Sequence, residues 1–160
     1  MSRQVLGLGN DVVNIQRFRN ILVHHGINSS YVKRLTQRIL NERHEYPRFA
    51  SLLPKGISGE ISGDKIDSST LHRCCQILAG SWASKEALFK SLDPHHQKHF
   101  VFKNWYKWND ENGKPNIQID RSVAPSDNMT EDQFMLSISH DGDMLIATVL
   151  RIGNVELPDR

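Results

Sequence analysis

Two carboxylates and two cations stand in this chain at spacings from which phosphoryl chemistry can be built. Asp11 closes an apolar run, and Arg17 follows it near the start of a predicted helix. Glu86 and Lys90 are four apart, so on a helix they project from one face. Carboxylate oxygens suit magnesium, which commonly takes one or two of them and completes its sphere with water and substrate phosphates. Asp11 and Glu86 are therefore the candidate metal ligands. Lys90 could stabilise charge developing on a phosphoryl group, and Arg17 could hold a phosphate in bidentate fashion. Spacing alone leaves the bland alternatives open: a strand-ending aspartate, a solvated helix pair and an exposed arginine.

Other polar runs point less clearly to chemistry. Neighbouring strand residues face opposite ways, so Ser139 and His140 do not form a nucleophile–base pair. His140 could contact a phosphate or assist proton movement, or it could be a hydrogen-bonded turn residue. His95, His96 and His99 lack zinc-ligand spacing. Cys74 and Cys75 are adjacent, which suits neither a disulfide framework nor a zinc motif; they read as a helical pair with one thiol in the core and a reducing surrounding. Gly7-Leu8-Gly9 lacks the third glycine of a dinucleotide loop. Trp105, Tyr106 and Trp108 stand among lysines, as a base-stacking surface would require, though a half-buried strand explains them too.

The elements that must position these groups are readable from periodicity. Val5–Val13 reads as a strand, and Asn14 caps a helix carrying Ile15, Phe18, Ile21 and Leu22 up to Gly26. A second helix begins near Ser29 or Ser30, and Asn41 is expected to cap a third. Residues 54–69 are rich in glycine and serine and read as a flexible loop inserted within the domain. Thr70 is expected to cap the longest helix, running to about Leu92, with Leu71, Cys75, Leu78, Trp82, Phe89 and Leu92 as its stripe. Lys85 falls on that stripe where a hydrophobe belongs. Asp93–His99 reads as a loop, and 100–108 and Pro115–Ile119 read as strands. The segment 123–132 reads as a polar loop. Met135–Ser139 and Met144–Ile152 form a hairpin about a turn at 140–143. The sum is one α+β domain over 1–160, with helices packed on a mainly antiparallel sheet.

Composition agrees. The chain has 160 residues, 38% hydrophobic and 24% charged, with a net charge of +2, which describes a mildly basic globular protein. No apolar run approaches the roughly 20 residues needed to span a bilayer. Residues 1–4 lead straight into the first strand with no secretory or presequence-like run, which leaves the compartment open.

These residues resemble a known family. Gly7-Leu8-Gly9-Asn10-Asp11-Val12-Val13-Asn14-Ile15-Gln16-Arg17 resembles the opening motif of holo-acyl-carrier-protein synthases, the small 4′-phosphopantetheinyl transferases. Trp82-Ala83-Ser84-Lys85-Glu86-Ala87-Leu88-Phe89-Lys90 is similar to the second signature, a Lys-Glu-Ala triplet followed by a lysine. Gly113-Lys114-Pro115 and Ser137-Ile138-Ser139-His140 occur in the family's order. Two departures stand out. Ser81 occupies a place where the family often has arginine, with Arg73 or Lys85 as substitutes for its phosphate contacts. Met144-Leu145 replaces the usual Tyr-Ala pair. The longer 54–69 loop, with the Asn/Ser-rich and Ala-poor character, resembles a fungal organellar member.

The resemblance implies the 4′-phosphopantetheinyl transferase fold and transfer of the phosphopantetheine arm of coenzyme A to a serine of apo-acyl carrier protein, for fatty acid synthesis. It implies Asp11, Glu86 and Lys90 as catalytic residues, with Asp11 and Glu86 on magnesium. Arg17, Lys85, Lys90, Ser139 and His140 would bind coenzyme A. The acidic carrier would dock on Arg17, Arg19, Lys33, Arg34 and Arg38. A homotrimer is expected, with no nucleic-acid or membrane partner, and the mitochondrial matrix stands ahead of the cytoplasm. Three competing readings remain, one of them a scaffold that keeps the family fold without turnover, which Ser81 leaves open. A magnesium-dependent hydrolase of nucleotide or coenzyme A diphosphates would turn over without a carrier. A basic RNA- or membrane-surface module would need neither magnesium nor Glu86.

Overall fold

The computed structural model describes residues 2–55, 65–123 and 131–155. The order is β1 (Ser2–Asn14), α1 (Ile15–His25), α2 (Ser30–Ile39), α3 (Tyr46–Ala50), α4 (Ser68–Ser91), α5 (Pro94–Lys98), β2 (Trp105–Asn109), β3 (Pro115–Ile119), β4 (Gln133–Asp141) and β5 (Met144–Val155). The main sheet is antiparallel in the order β1-β5-β4, and β2 pairs with β3 in a separate two-stranded sheet. The long helix α4 crosses β1 and β5, with α1, α2 and β2 against its other sides. This is the expected α+β architecture.

Helix α4 is buried nearly all round because it is covered on several sides. Its approach to β1 is close enough that Gly7 and Gly9 are required. A methyl group at Gly9 would overlap the Ala87 carbonyl oxygen, and one at Gly7 would overlap that of Ser91. The Gly-Leu-Gly run is thus a packing feature that brings the strand end beside the helix. Asp11 lies on the same strand face as Gly9 and Val13, the face turned towards α4. The core includes Phe18, Leu22, Phe49, Leu78, Leu88, Trp105 and Val149. Both Cys74 and Cys75 are in it, where one was expected, and burial pushes their thiols up to about 12 and about 11 respectively.

Caps account for most boundaries. Asn14 Oδ1 accepts from the Gln16 amide at 2.8 Å and starts α1, and Ser29 Oγ accepts from the Val32 amide to start α2. The cap of α4 is Asp67, not Thr70: the Asp67 carboxylate accepts the Thr70 amide at 2.9 Å. Asp93–His99 is not a loop. Asp93 caps α5, with Pro94 in its first turn. Asn41 Oδ1 accepts from the Arg43 and His44 amides but caps only a turn, and α3 starts later, at Tyr46. The strand expected from residue 100 begins at Trp105, after a 3-10 turn at Phe102–Asn104. The β4–β5 turn is tighter than expected, since His140 still pairs with Leu145 and only Gly142 and Asp143 reverse the chain. Of the inserted 54–69 loop, residues 56–64 lie outside the described residues, as do 124–130 of the polar loop. Among the described residues no helix is long and apolar enough to cross a membrane.

Candidate active site

Three residues on one face of α4 organise the site: Trp82, Glu86 and Lys90, spaced one turn apart. That face runs beside the junction of β1 and α1. Lys90 Nζ donates to Asp11 Oδ1 at 2.8 Å and to the Asn10 carbonyl at 3.1 Å. The Arg17 guanidinium stacks over the Trp82 ring, 5.4 Å from its centroid, with Phe18 on its other approach at 5.9 Å. Trp82 is itself stacked on Phe102. The glycine-permitted contact of β1 with α4 and the Asn14 cap of α1 therefore bring Asp11, Arg17, Glu86 and Lys90 together.

Glu86 is half-buried, and its carboxyl is raised above the ordinary range. Burial is the main cause and the Asp11 charge adds to it, while Lys90 and Arg17 oppose the rise. Two carboxylates that feel one another, with two cations beside them, form a donor set for a hard divalent cation. Among the described residues there is no cluster of three or more His, Cys, Asp or Glu able to hold a metal. Asp11 and Glu86 are the two carboxylates that could hold a hard divalent cation, with water and substrate completing its sphere.

A cleft of about 520 Å³ lies along the N-terminal half of α4, and Asp11, Arg17, Glu86 and Lys90 are not among the residues that line it. Ile15, which lies between Asp11 and Arg17 in sequence, is part of its lining. Arg48, Arg73 and Lys107 bring positive charge to it, Glu45 brings a carboxylate and His140 an imidazole, and Gly113 and Pro115 from the β2–β3 turn form one wall. Lys107 is lowered from its ordinary value, first by burial and then by the Arg48 charge, with Glu45 opposing. An anion in the cleft would relieve that repulsion.

The structure thus brings Asp11, Glu86, Lys90 and Arg17 into one cluster and His140 into the cleft. Ser139 is exposed on the opposite face of β4 and does not line the cleft. The expectation that Lys85 contacts coenzyme A is corrected. Its side chain is fully buried, and its ammonium is held by Glu45 Oε2 at 2.6 Å and by the Ile39 carbonyl. Burial lowers Lys85, and the Glu45 carboxylate opposes this. Of the two substitutes for the family arginine, only Arg73 lines the cleft; Ser81 lies there too, donating to Glu45 Oε1 at 2.8 Å. Arg48 and Lys107 were missed. Lys107 stands among the aromatic residues with Lys103 and reads as one solvated position of an alternating strand, and Arg48 carries no local signal.

Among curated proteins, the chain is 29% identical to the holo-[acyl-carrier-protein] synthase of Geobacillus kaustophilus, over 91% of this chain and 88% of that protein. It is 27% identical to the mitochondrial holo-[acyl-carrier-protein] synthase of Candida glabrata, over 89% and 91%. The fold is shared with a crystal structure of a holo-(acyl-carrier-protein) synthase from Bacillus anthracis in complex with CoA (3′,5′-ADP). The TM-score there is 0.60 at 23% identity, covering 94% of this chain and 98% of that one. The profile of the 4′-phosphopantetheinyl transferase superfamily runs from Gly7 to Val149, across the β1–α1 junction, the length of α4 and the β4–β5 hairpin, and the chain belongs to that family.

Proposed function

We propose that this protein transfers the 4′-phosphopantetheine arm of coenzyme A to a serine of apo-acyl carrier protein, forming holo-carrier and releasing adenosine 3′,5′-bisphosphate. The observation that carries this reading is the convergence of Asp11, Glu86, Lys90 and Arg17, with Ile15 of the same β1–α1 junction lining a cleft that carries Arg48, Arg73 and Lys107. Asp11 and Glu86 would hold magnesium, which when bound neutralises diphosphate charge. Arg48, Arg73, Lys107 and His140 give the nucleotide end of coenzyme A its anion contacts. Lys90 and Arg17 hold the reacting diphosphate and stabilise charge that grows on its oxygens. The carrier serine oxygen forms the new bond to phosphorus, the bond to the nucleotide phosphate breaks, and the serine proton passes to Glu86. A carboxylate with a raised proton affinity suits that role. This chain needs no nucleophile of its own.

The partner's docking face is part of the same reading. Arg17, Lys33, Arg34 and Arg38 are exposed on α1 and α2, and Arg19 is partly so. An acidic carrier would be steered there and would bring its serine near Glu86. Self-association is supported by the outer face of the main sheet, where Leu8, Val12, Met135, Met144 and Ile146 are exposed, with Leu8 at 65%. A homotrimer built on that face is the assembly we favour. A mitochondrial matrix location is supported by the name of the Candida glabrata relative.

Intact-mass spectrometry of an apo-acyl carrier protein tests the reading. Incubation with this chain, coenzyme A and magnesium is expected to add one phosphopantetheine group, and chelation or Glu86→Gln is expected to remove the gain. A folded protein that binds coenzyme A yet modifies no carrier from several sources would overturn it.

A further inference from the structure

We propose that Lys85, acting through Glu45, is a positioning residue that sets the β2–β3 wall of the cleft against helix α4. This rests on the transferase reading only in assigning the cleft to coenzyme A. The Glu45 carboxylate has four donors. Oε2 accepts from the Asn41 amide at 2.8 Å and from Lys85 Nζ at 2.6 Å; Oε1 accepts from Ser81 Oγ at 2.8 Å and from the Lys107 amide at 2.9 Å. Lys85 is locked in turn by the Ile39 carbonyl. One buried carboxylate thus joins the end of α2, the middle of α4 and strand β2.

The joint matters because of how β2 and β3 are held. They pair with each other and, among the described residues, with no strand of the main sheet, although β3 packs against β4. Their turn nevertheless supplies Trp108, Asn109, Gly113 and Pro115 to the cleft, and Glu45, Ser81 and Lys107 line it as well. The Lys107 amide points away from β3 and finds its acceptor in Glu45. Asn41 adds a second tie, its side-chain amide donating to the Lys103 carbonyl at 2.8 Å just before β2. Burying an ammonium and a carboxylate is expensive, and an apolar pair of similar size would pack with less desolvation. Directional bonds to three elements are what the apolar pair could not provide. The lysine on the apolar stripe of α4 holds its glutamate in the orientation that captures Ser81 and Lys107.

The test compares Lys85→Met with the double variant Glu45→Gln/Lys85→Met. The single variant leaves the carboxylate without its cation, so it should turn towards water and release the Lys107 amide. The double variant keeps an uncharged acceptor for Ser81 and Lys107 and turns its NH2 towards the Asn41 amide, so it restores the β2 side of the joint, which borders the cleft, and not the α2 side. In Lys85→Met, the KM for coenzyme A should rise about tenfold, the size of one lost charge-assisted hydrogen bond. Its kcat should stay near wild type, and Lys107 amide exchange should accelerate. The double variant should recover both. Equal changes in kcat and KM, or unchanged Lys107 exchange in folded protein, would overturn the proposal. If Lys85→Met does not fold, Glu45→Gln alone should weaken coenzyme A binding in calorimetry, and unchanged affinity would overturn it. Calorimetry and exchange do not require turnover, so they separate this proposal from the transferase reading, which fails instead if the wild-type protein modifies no carrier.

Discussion

Lys90 on α4 and Asp11 on β1 form an ion pair at 2.8 Å across 79 positions of sequence, and this pair closes the gap between the two signature runs. Asp11 is mostly covered and Lys90 is about half exposed, so an arriving ligand reaches the ammonium more readily than the carboxylate. The carboxylate is placed by the sheet. The ammonium can move away from it towards an arriving diphosphate.

Lys90→Met is therefore expected to affect turnover more than stability. An exposed partner contributes little to folding, about 1 kcal/mol or less. A cation aimed at developing charge contributes roughly a hundredfold or more to rate. Steady-state transfer assays should show kcat falling by about that factor, with the melting temperature close to wild type. A loss in stability without a loss in kcat would move Lys90 out of the chemistry.

Two glycine substitutions separate close approach from backbone conformation. Gly9→Ala forces a methyl group into the Ala87 carbonyl and must push β1 off α4, which should cost about 3 kcal/mol or prevent folding. Gly113 faces open space but has φ +80°, so Gly113→Ala should cost only about 1 kcal/mol. Urea unfolding measures both. The order of the two variants is the prediction, and a reversed order would mean that β1 has room to shift.

The site was legible where chemistry coincided with local pattern. Asp11 follows the Gly-Leu-Gly run within β1, and Glu86 and Lys90 share a helix face, so period and residue type together located them. Lys85 shows the limit of that signal. Its place on the apolar stripe correctly marked it as buried, but its partner Glu45 lies 40 positions away and nothing local connects them. Arg48 and Lys107 escaped for the same reason, since the cleft they line is made by packing β2 against α4. Asp93-Pro94 is a different case. A cap and a first-turn proline were both present, but five helical residues are too few to show a period. Most of the fold follows from period and capping; the polar hub that joins α2, α4 and β2 follows from tertiary contact.

Docking should depend on charge. Lys33 and Arg34 are exposed on α2 and make no hydrogen bond or ion pair with Asp11, Arg17, Glu86 or Lys90 among the described residues, so the double change Lys33→Glu/Arg34→Glu should act on encounter. The apparent KM for acyl carrier protein should rise roughly tenfold at low salt, with kcat at saturating carrier and KM for coenzyme A unchanged. Added salt should erode the wild-type advantage. An unchanged carrier KM would place the docking face elsewhere.

Asp120 makes the stability of the fold depend on acid pH in a calculable direction. It is buried at the end of β3, and its Oδ1 accepts from the Ser122 hydroxyl at 2.7 Å and the Ser122 amide at 2.9 Å. Those bonds, with the Asn41 side chain and the His44 charge, hold the carboxyl at about 2 against an ordinary 3.8, although burial pulls the other way. The folded protein thus binds this proton less tightly than the unfolded chain does. The stabilisation is present above 3.8 and is lost as the pH falls towards about 2. Asp120→Asn keeps the volume but turns one acceptor into a donor facing other donors, at a cost of roughly 1.5–3 kcal/mol near neutral pH. Urea melts of wild type and variant should differ by that amount at neutral pH, and the gap should narrow in the acid window because wild type loses stability there. A gap that stayed constant across the window would show that Asp120 contributes through shape and not through its charge.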